Sequence, residues 1–182
     1  MTPADLLGII KDTRDLDLLY PRNLVLLELL DGPLAPAVIR DRLAFAPPRI
    51  YAILYRLQAE GAITTKGAAK LTPSMRARLT KALPGGHHPV LKAFRLAWVR
   101  RVLNEQLPVM LALHGVEPIK LERHGVEPMG VPYMWVSETT GAQPNTTLRA
   151  LKRLVSLGRV YRIGNAYSLA PSGWFAVKDI LE

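Results

Sequence analysis

The sequence predicts a mainly α-helical protein with small β-hairpins, an α+β fold in which one helical unit occurs twice. Three observations carry this prediction. The chain repeats itself at a shift of 97 residues, apolar residues follow helical spacing in both copies, and each copy ends in two short extended segments around a glycine. A length of 182 residues fits two small domains. We expect these domains to cover residues 1–84 and 85–182.

The repeat is clearest where residues 52–70 are aligned with residues 149–167. The identical pairs include Leu54 and Leu151, Arg56 and Arg153, Leu57 and Leu154, Gly61 and Gly158, and Gly67 and Gly164. The first glycine of each copy stands where a helix must stop, which is a usual place for a left-handed cap residue. The second glycine marks the tip of a predicted β-hairpin. A helix, a glycine and a hairpin therefore follow one another in both copies.

The first copy also shows what precedes its glycine-terminated helix. Residues 23–30 are strongly apolar and end at Asp31-Gly32-Pro33, which predicts a short first helix. Residues 35–43 predict a second helix, and Pro47-Pro48 opens the third after a tight turn. Helix, helix, turn, helix and hairpin is the order of a helix-turn-helix with a β-hairpin wing.

Residues 22–79 resemble the winged-helix domains of bacterial MarR-type and PadR-type transcription regulators. The segments that carry the resemblance are AFAPPRIYAILYRLQAEGAI and LTPSMRARL in the first copy, and VSETTGAQPNTTLRALKRLVSLGRVYRIGNAYSLAPSG in the second. Together the two copies cover about two thirds of the chain. The resemblance implies two winged helix-turn-helix units, each with a third helix that enters the major groove of DNA.

Between the copies, residues 84–89 are typical of a linker, and residues 90–114 predict one long central helix kinked at Pro108. This helix would supply the first helix of the second unit, a dimer interface, or both. Its basic side chains, which would lie near DNA or face solvent, are Lys92, Arg95, Arg100 and Arg101. The sequence HGVEP then occurs at residues 114–118 and 124–128 and predicts a duplicated turn.

The charge is positive and unevenly distributed. The chain has 24 Lys and Arg against 15 Asp and Glu, a formal net charge of +9, which favours nucleic acid or an anionic membrane surface as partner. Nine bases and no acid lie between Glu60 and Glu105, and six bases and no acid lie between Glu138 and Asp179. We interpret these blocks as two surfaces that face a polyanion, with an ordinary solvated surface as the alternative.

The outward residues of the third helices and the wings are the predicted DNA contacts. In the first copy they are Arg49, Tyr51, Tyr55 and Arg56 on the helix and Lys66 and Lys70 on the wing. In the second copy they are Asn145, Thr146, Arg149, Lys152 and Arg153 on the helix and Arg162 and Asn165 on the wing. The second helix is the more basic one, so we expect it to contribute more of the sequence discrimination.

The residue types suggest roles for some of these contacts. Arg149 can pair with guanine through two hydrogen bonds. Asn145 can bind adenine or phosphate or act as a helix cap, and Thr146 can cap the helix or bind phosphate. Arg56 and Arg153 lie farther along their helices, where phosphate is the more common partner. The two tyrosines would contact DNA or cover the edge of the core. The wing residues would reach phosphate or the minor groove.

Several classes of protein are disfavoured. The absence of cysteine excludes disulfides and thiolate metal sites, no apolar run has the length of a membrane span, and the N-terminus lacks the basic start of a signal peptide. There is no phosphate-binding glycine loop and no nucleophile motif, so we expect no enzyme, no catalytic residue and no cofactor. The spacing of the four histidines fits no zinc pattern, so we expect no metal.

Three functions fit these observations. The first is a cytoplasmic, nucleoid-associated transcription regulator that binds double-stranded DNA, as a homodimer on an inverted repeat. The dimer is inferred from the apolar residues 6–10 and the central helix. The second is a plasmid or phage replication initiator or maintenance factor that binds repeated sites. The third is a structural winged-helix subunit of a chromosome-organising complex. No residue identifies a small-molecule effector.

Overall fold

The computed structural model describes residues 1–83, 85–116 and 130–182, which are mainly helical and contain two small antiparallel sheets. They form two compact units. The first unit is Asp15–Arg95, and the second unit is Met1–Arg14 together with Leu96–Glu182. The second unit therefore includes helix α1 (Pro3–Asp12), which packs against a helix more than 90 residues later in the chain. The domain bounds predicted from the sequence differ from these units at residues 1–14 and at residues 85–95.

Among its described residues, the first unit contains four α-helices, the first part of a fifth, and a hairpin. In chain order these are α2 (Pro21–Glu28), α3 (Pro36–Leu43), α4 (Pro47–Ala59), β1 (Ile63–Thr64), β2 (Lys70–Leu71), α5 (Pro73–Ala82) and α6 (His88–Val99), after a short 3-10 turn at Arg14–Leu16. Proline stands in the first turn of α2 to α5, where its missing N–H costs no hydrogen bond. Leu34 forms one antiparallel bridge with Ala69 beside the hairpin.

A buried carboxylate lies at the end of α2 in the core of this unit. Glu28 is fully buried, and its carboxylate pairs with Arg42 of α3 at 3.4 Å and with Arg95 of α6. A buried charge is costly unless it is paired, so these two arginines stabilise the junction of three helices. Arg95 therefore belongs to an ion pair of the first unit.

The second unit repeats the order of the first. After α1 it contains α7 (Gln106–His114), β3 (Val131–Pro132), α8 (Tyr133–Thr140), α9 (Pro144–Ser156), β4 (Val160–Ile163), β5 (Ala166–Leu169) and α10 (Pro171–Leu181). Strand β5 lies between β3 and β4 in one antiparallel sheet. Residues 107–113 of α7 are all buried, so this helix forms the centre of the unit, and α1, α8, α9 and α10 pack around it.

The sequence repeat reappears in the bounds of the elements. Helices α3 and α8 begin at Pro36 and Tyr133, and α4 and α9 begin at Pro47 and Pro144, each pair 97 residues apart. Both glycines that follow the third helices are left-handed, with φ of 70° at Gly61 and 65° at Gly158. The predicted second and third helices and both hairpins are therefore present.

The predicted long central helix is wrong. Residues 90–114 form two helices, because α6 ends at Val99 and α7 begins at Gln106. Between them Arg101 and Asn104 have φ of 58° and 65°, a left-handed backbone that a continuous right-handed helix cannot contain. Pro108 lies in the first turn of α7, where proline is tolerated, and not in the middle of a long helix. Two buried residues in the break, Val102 and Leu103, continue the apolar pattern of the flanking helices. The sequence of the break therefore has the pattern of a helix although it does not form one.

Two other expectations concern the linker with the HGVEP repeat and the lack of a membrane span. Most of the HGVEP repeat and Pro84 of the linker lie outside the described residues. Among the described helices, none combines the length and the apolar character needed to cross a bilayer.

Candidate nucleic-acid interface

Helix α9 exposes a basic face on the second unit. Its buried residues Thr147, Ala150, Leu151 and Leu154 recur at helical spacing and fix the rotation of the helix on the core. The opposite face exposes Asn145, Arg149, Lys152 and Arg153, with Thr146 half-buried at its margin. The helix contains no Asp or Glu. The four exposed residues named here are among the outward residues that the sequence predicted.

The start of α9 differs from one expectation. The helix begins at Pro144 with Gln143 as its N-cap, and no side chain makes a capping hydrogen bond there. Asn145 and Thr146 therefore lie inside the first turn, and their role as caps is wrong, because Pro144 occupies the first helical position. Asn145 is exposed beside the unpaired N–H groups of the helix N-terminus, an environment that favours an anion such as phosphate.

An acid from another element holds Arg149. Its Nη2 and Nε donate to the two carboxylate oxygens of Glu105 at 2.5 and 3.2 Å. Glu105 precedes α7, and 69% of the Arg149 side chain is still exposed. Arg149 must leave Glu105 before both of its N–H groups can pair with a guanine. The sequence did not predict this partner, which lies 44 residues upstream.

The hairpin β4–β5 projects next to the end of α9. It exposes Tyr161, Arg162 and Asn165, and the Nε of Arg162 donates to the carbonyl of Gly164 at the tip. Gly173 anchors its base, because a Cβ there would lie 2.1 Å from the carbonyl oxygen of Arg159. The residue just before β4 is therefore in close contact with the first turn of α10.

Helix α4 of the first unit exposes a more aromatic face. Ile50, Leu54 and Leu57 are buried, whereas 62% of Tyr51 and 77% of Tyr55 is exposed. Neither tyrosine covers the edge of the core, which was the alternative to a surface role. Large exposed aromatic rings on a helix are available for contact with a partner.

The arginines of α4 already have neighbours within the first unit. Arg49 lies over the ring of Phe45, 5.2 Å from its centroid, and Arg56 pairs with Glu60 at 3.2 Å. Glu60 also accepts a hydrogen bond from Arg22 at 2.8 Å. One exposed acid thus partly neutralises the basic side of this helix.

A cleft of about 310 Å³ runs along α4 beside the start of α2. Arg22, Arg49 and Arg56 line it, together with Tyr20 and Ala52. The sequence did not predict Arg22, because its position beside the other two arginines follows only from the packing of α2 on α4. An open cleft with three guanidinium groups suits a phosphate.

The hairpin of the first unit is short, with two residues in each strand. Lys66 lies in its loop and Lys70 in β2, and both side chains are exposed. Thr65 ties the loop to α4 by donating to Oε1 of Gln58 at 2.6 Å. Both lysines therefore lie exposed in the hairpin that follows α4, where the sequence predicted them.

Two of the basic residues that the sequence placed on a central helix form ion pairs within their own units. Arg95 pairs with buried Glu28, and Arg100 pairs with Asp179 of α10. Arg101 is exposed in the left-handed break after α6. Arg95 and Arg100 therefore each have a carboxylate partner in their own unit.

Comparison of the chain with the models of known families and with curated proteins gives no match. The functional interpretation therefore depends on the repeat, the exposed faces of α4 and α9, and the charge.

Proposed function

We propose that both units are winged helices and that the chain is a sequence-specific transcription regulator that binds double-stranded DNA. The observation that carries this proposal is the repeated order of helix, strand or bridge, helix, helix and hairpin, at one spacing of 97 residues, with an acid-free third helix exposed in each unit. In a winged helix the third helix is the element that lies in the major groove. The same interpretation is consistent with the resemblance to MarR-type and PadR-type domains.

Electrostatics support a nucleic-acid partner. The chain carries a net charge of +9, and α9 combines exposed Arg149, Lys152 and Arg153 with no acid on the helix. Neutralising phosphates with such side chains releases counterions, so binding should weaken steeply as salt rises. Lys152 and Arg153 would bind phosphate and set the register of the helix.

Arg149 is the residue that we propose reads a base. Its two N–H groups are already arranged in parallel toward the two oxygens of Glu105, which resemble the two acceptors of a guanine edge in their spacing. Pairing with guanine would replace the carboxylate. Asn145 and Thr146 in the first turn would contact a phosphate or an adjacent base, and Arg162 and Asn165 would extend the contact to the minor groove.

The first unit would bind the duplex with fewer charged contacts. Tyr51 and Tyr55 would lie against sugars or base edges, with Arg49 and Arg56 at phosphates. The cleft that contains Arg22 would hold one phosphate beside α4, and Lys66 and Lys70 would contact the backbone from the wing. We propose that the protein acts on the cytoplasmic nucleoid as a homodimer, with two chains on the halves of an inverted repeat.

Selection of bound sites from random duplexes tests this function. The expected result is one enriched short sequence with two-fold symmetry, and binding whose affinity falls linearly in log–log scale with salt. Enrichment of directly repeated sites would replace the regulator with the replication or maintenance factor. Binding without any enrichment, or no salt-sensitive binding, would overturn sequence-specific recognition and favour the structural subunit.

A further inference from the structure

Two histidines and an aspartate meet on the first unit, on elements other than α4 and the wing. Asp31 lies in the turn after α2, and His87 and His88 lie at the start of α6. The Nε2 of His87 is 2.9 Å from Oδ1 of Asp31, and the Nε2 of His88 is 3.3 Å from the same oxygen. One ligand atom from each residue lies within 4.8 Å of the other two.

The donor set suits a first-row transition metal. Two imidazole nitrogens and one carboxylate oxygen are ligands that Zn²⁺ and its neighbours accept. Metal–ligand bonds of about 2.0–2.2 Å in tetrahedral geometry separate the ligand atoms by roughly 3.3–3.6 Å. The two distances from Asp31 Oδ1, 2.9 and 3.3 Å, already approach that separation. Small rotations of the two histidine side chains would bring their Nε2 atoms to this separation.

The two imidazoles approach the same carboxylate and differ in how firmly they are held. Both Nε2 atoms point at a single oxygen of Asp31, and the two rings lie 4.2 Å apart between centroids at an angle of 32°. The His87 side chain is only 17% exposed, so its ring is held in place, whereas His88 is 72% exposed and can adjust. One fixed imidazole and one adjustable imidazole around a carboxylate form a site that an ion can complete.

We propose that Asp31, His87 and His88 bind one divalent first-row transition-metal ion, with Zn²⁺ as the best fit and solvent completing its coordination. The ion would join the turn that follows α2 to the start of α6 within the first unit. It would therefore stabilise the folded chain, because the unfolded chain lacks the assembled site. This site does not depend on the DNA-binding proposal.

Titration of the untagged full chain with Co²⁺ tests the site. We expect one equivalent to give the visible absorption of tetrahedral Co²⁺, and one equivalent of Zn²⁺ to abolish it. His88→Gln and Asp31→Asn should each weaken Co²⁺ binding at least tenfold, whereas His114→Gln, a histidine of the second unit, should leave the affinity unchanged. Circular dichroism of each variant checks that it is folded.

Thermal unfolding gives a second readout. Zn²⁺ should raise the melting temperature of the wild-type chain and of His114→Gln, and should not raise that of His88→Gln. The proposal is overturned if the wild-type chain binds no Co²⁺ in stoichiometric amount, or if both His88→Gln and Asp31→Asn retain the wild-type affinity.

Discussion

The two units share their buried positions and differ in what they expose. Leu54 and Leu57 of α4 correspond to Leu151 and Leu154 of α9, and all four are buried. The outward side of α4 carries Tyr51 and Tyr55, whereas that of α9 is mainly basic and polar. Burial thus maintains one scaffold in both copies, while the solvent-facing residues are under no packing constraint and have diverged. We therefore expect the two units to contribute unequally to the proposed binding of DNA.

The units also differ in how they hold their helices. In the first unit a fully buried glutamate pairs with Arg42 and Arg95, and the hairpin strands are two residues long. In the second unit the comparable pair, Arg100 and Asp179, is over 40% exposed, and the hairpin strands have four residues each. We therefore expect the first unit to depend more on a single ionic cluster.

The largest expected effect is a loss of DNA affinity, which should be greater when bases of α9 are removed than when bases of α4 are removed. Lys152→Ala with Arg153→Ala should lower the affinity for a selected duplex by about 10–100-fold, and should reduce the slope of log affinity against log salt by about two, since each lost phosphate contact removes about one. Arg49→Ala with Arg56→Ala should cost less, because Glu60 already holds Arg56. Fluorescence anisotropy across a salt series measures both.

The matched control for this comparison removes the same charge from other elements. Lys11→Ala with Lys178→Ala changes two exposed lysines of α1 and α10. Its affinity should stay within about threefold of the wild-type value, since only long-range, salt-screened attraction is lost. An equal loss in the control and in the α9 variant would show that α9 has no special role.

The second prediction concerns the buried ion pair. Arg95→Ala should lower the free energy of unfolding by about 1–3 kcal/mol, because it leaves the buried Glu28 with Arg42 alone. Arg100→Ala breaks an exposed pair and should cost at most about 1 kcal/mol. Urea unfolding of both variants measures the difference. Equal losses would contradict the assigned difference between the units.

The third prediction tests the equivalence of the glycines that end α4 and α9. Gly61→Ala and Gly158→Ala should each destabilise the chain by about 1 kcal/mol, because both positions have positive φ although the space around them is open. Gly8→Ala, inside α1 with no atom within 4 Å of the added Cβ, should stabilise by about 0.5–1 kcal/mol. Thermal unfolding compares the three, and stabilisation at Gly158 would contradict the repeated cap.

The smallest expected effect concerns the acids that pair with the third helices. Glu105→Gln should raise the affinity for DNA by about two- to fivefold, because it removes a charged competitor for the exposed Arg149. Glu60→Gln should act in the same direction through Arg56 and Arg22. Anisotropy at fixed salt measures both changes. Weaker binding of Glu105→Gln would show that this pair positions Arg149 for DNA.

The sequence predicted the parts of the fold that local residues determine. Proline at the starts of α4 and α9, and glycine just after their ends, fix the two third helices from nearby residues alone. The break between α6 and α7 could not be predicted, because Arg101 and Asn104 adopt positive φ without being glycine. The apolar pattern also continues through this break.

Tertiary contacts account for the parts of the site that the sequence did not predict. The outward residues of α9 follow from helical periodicity, so they were predicted individually. Glu105 reaches Arg149 across 44 residues, and Arg22 approaches Arg49 only through the packing of α2 beside α4. Glu28 lies in a strongly apolar helix, yet its charge is compensated by α3 and α6. No local pattern contains these partners.

Photo-crosslinking tests most directly whether both third helices face DNA. A photoreactive amino acid is placed singly at Tyr55, at Lys152 and, as controls, at Lys81 of α5 and Lys178 of α10, and each chain is irradiated with the selected duplex. The account predicts crosslinks from Tyr55 and Lys152, with the stronger yield at Lys152, and little from the controls. Crosslinks from the control positions, with none from Tyr55 or Lys152, would contradict it.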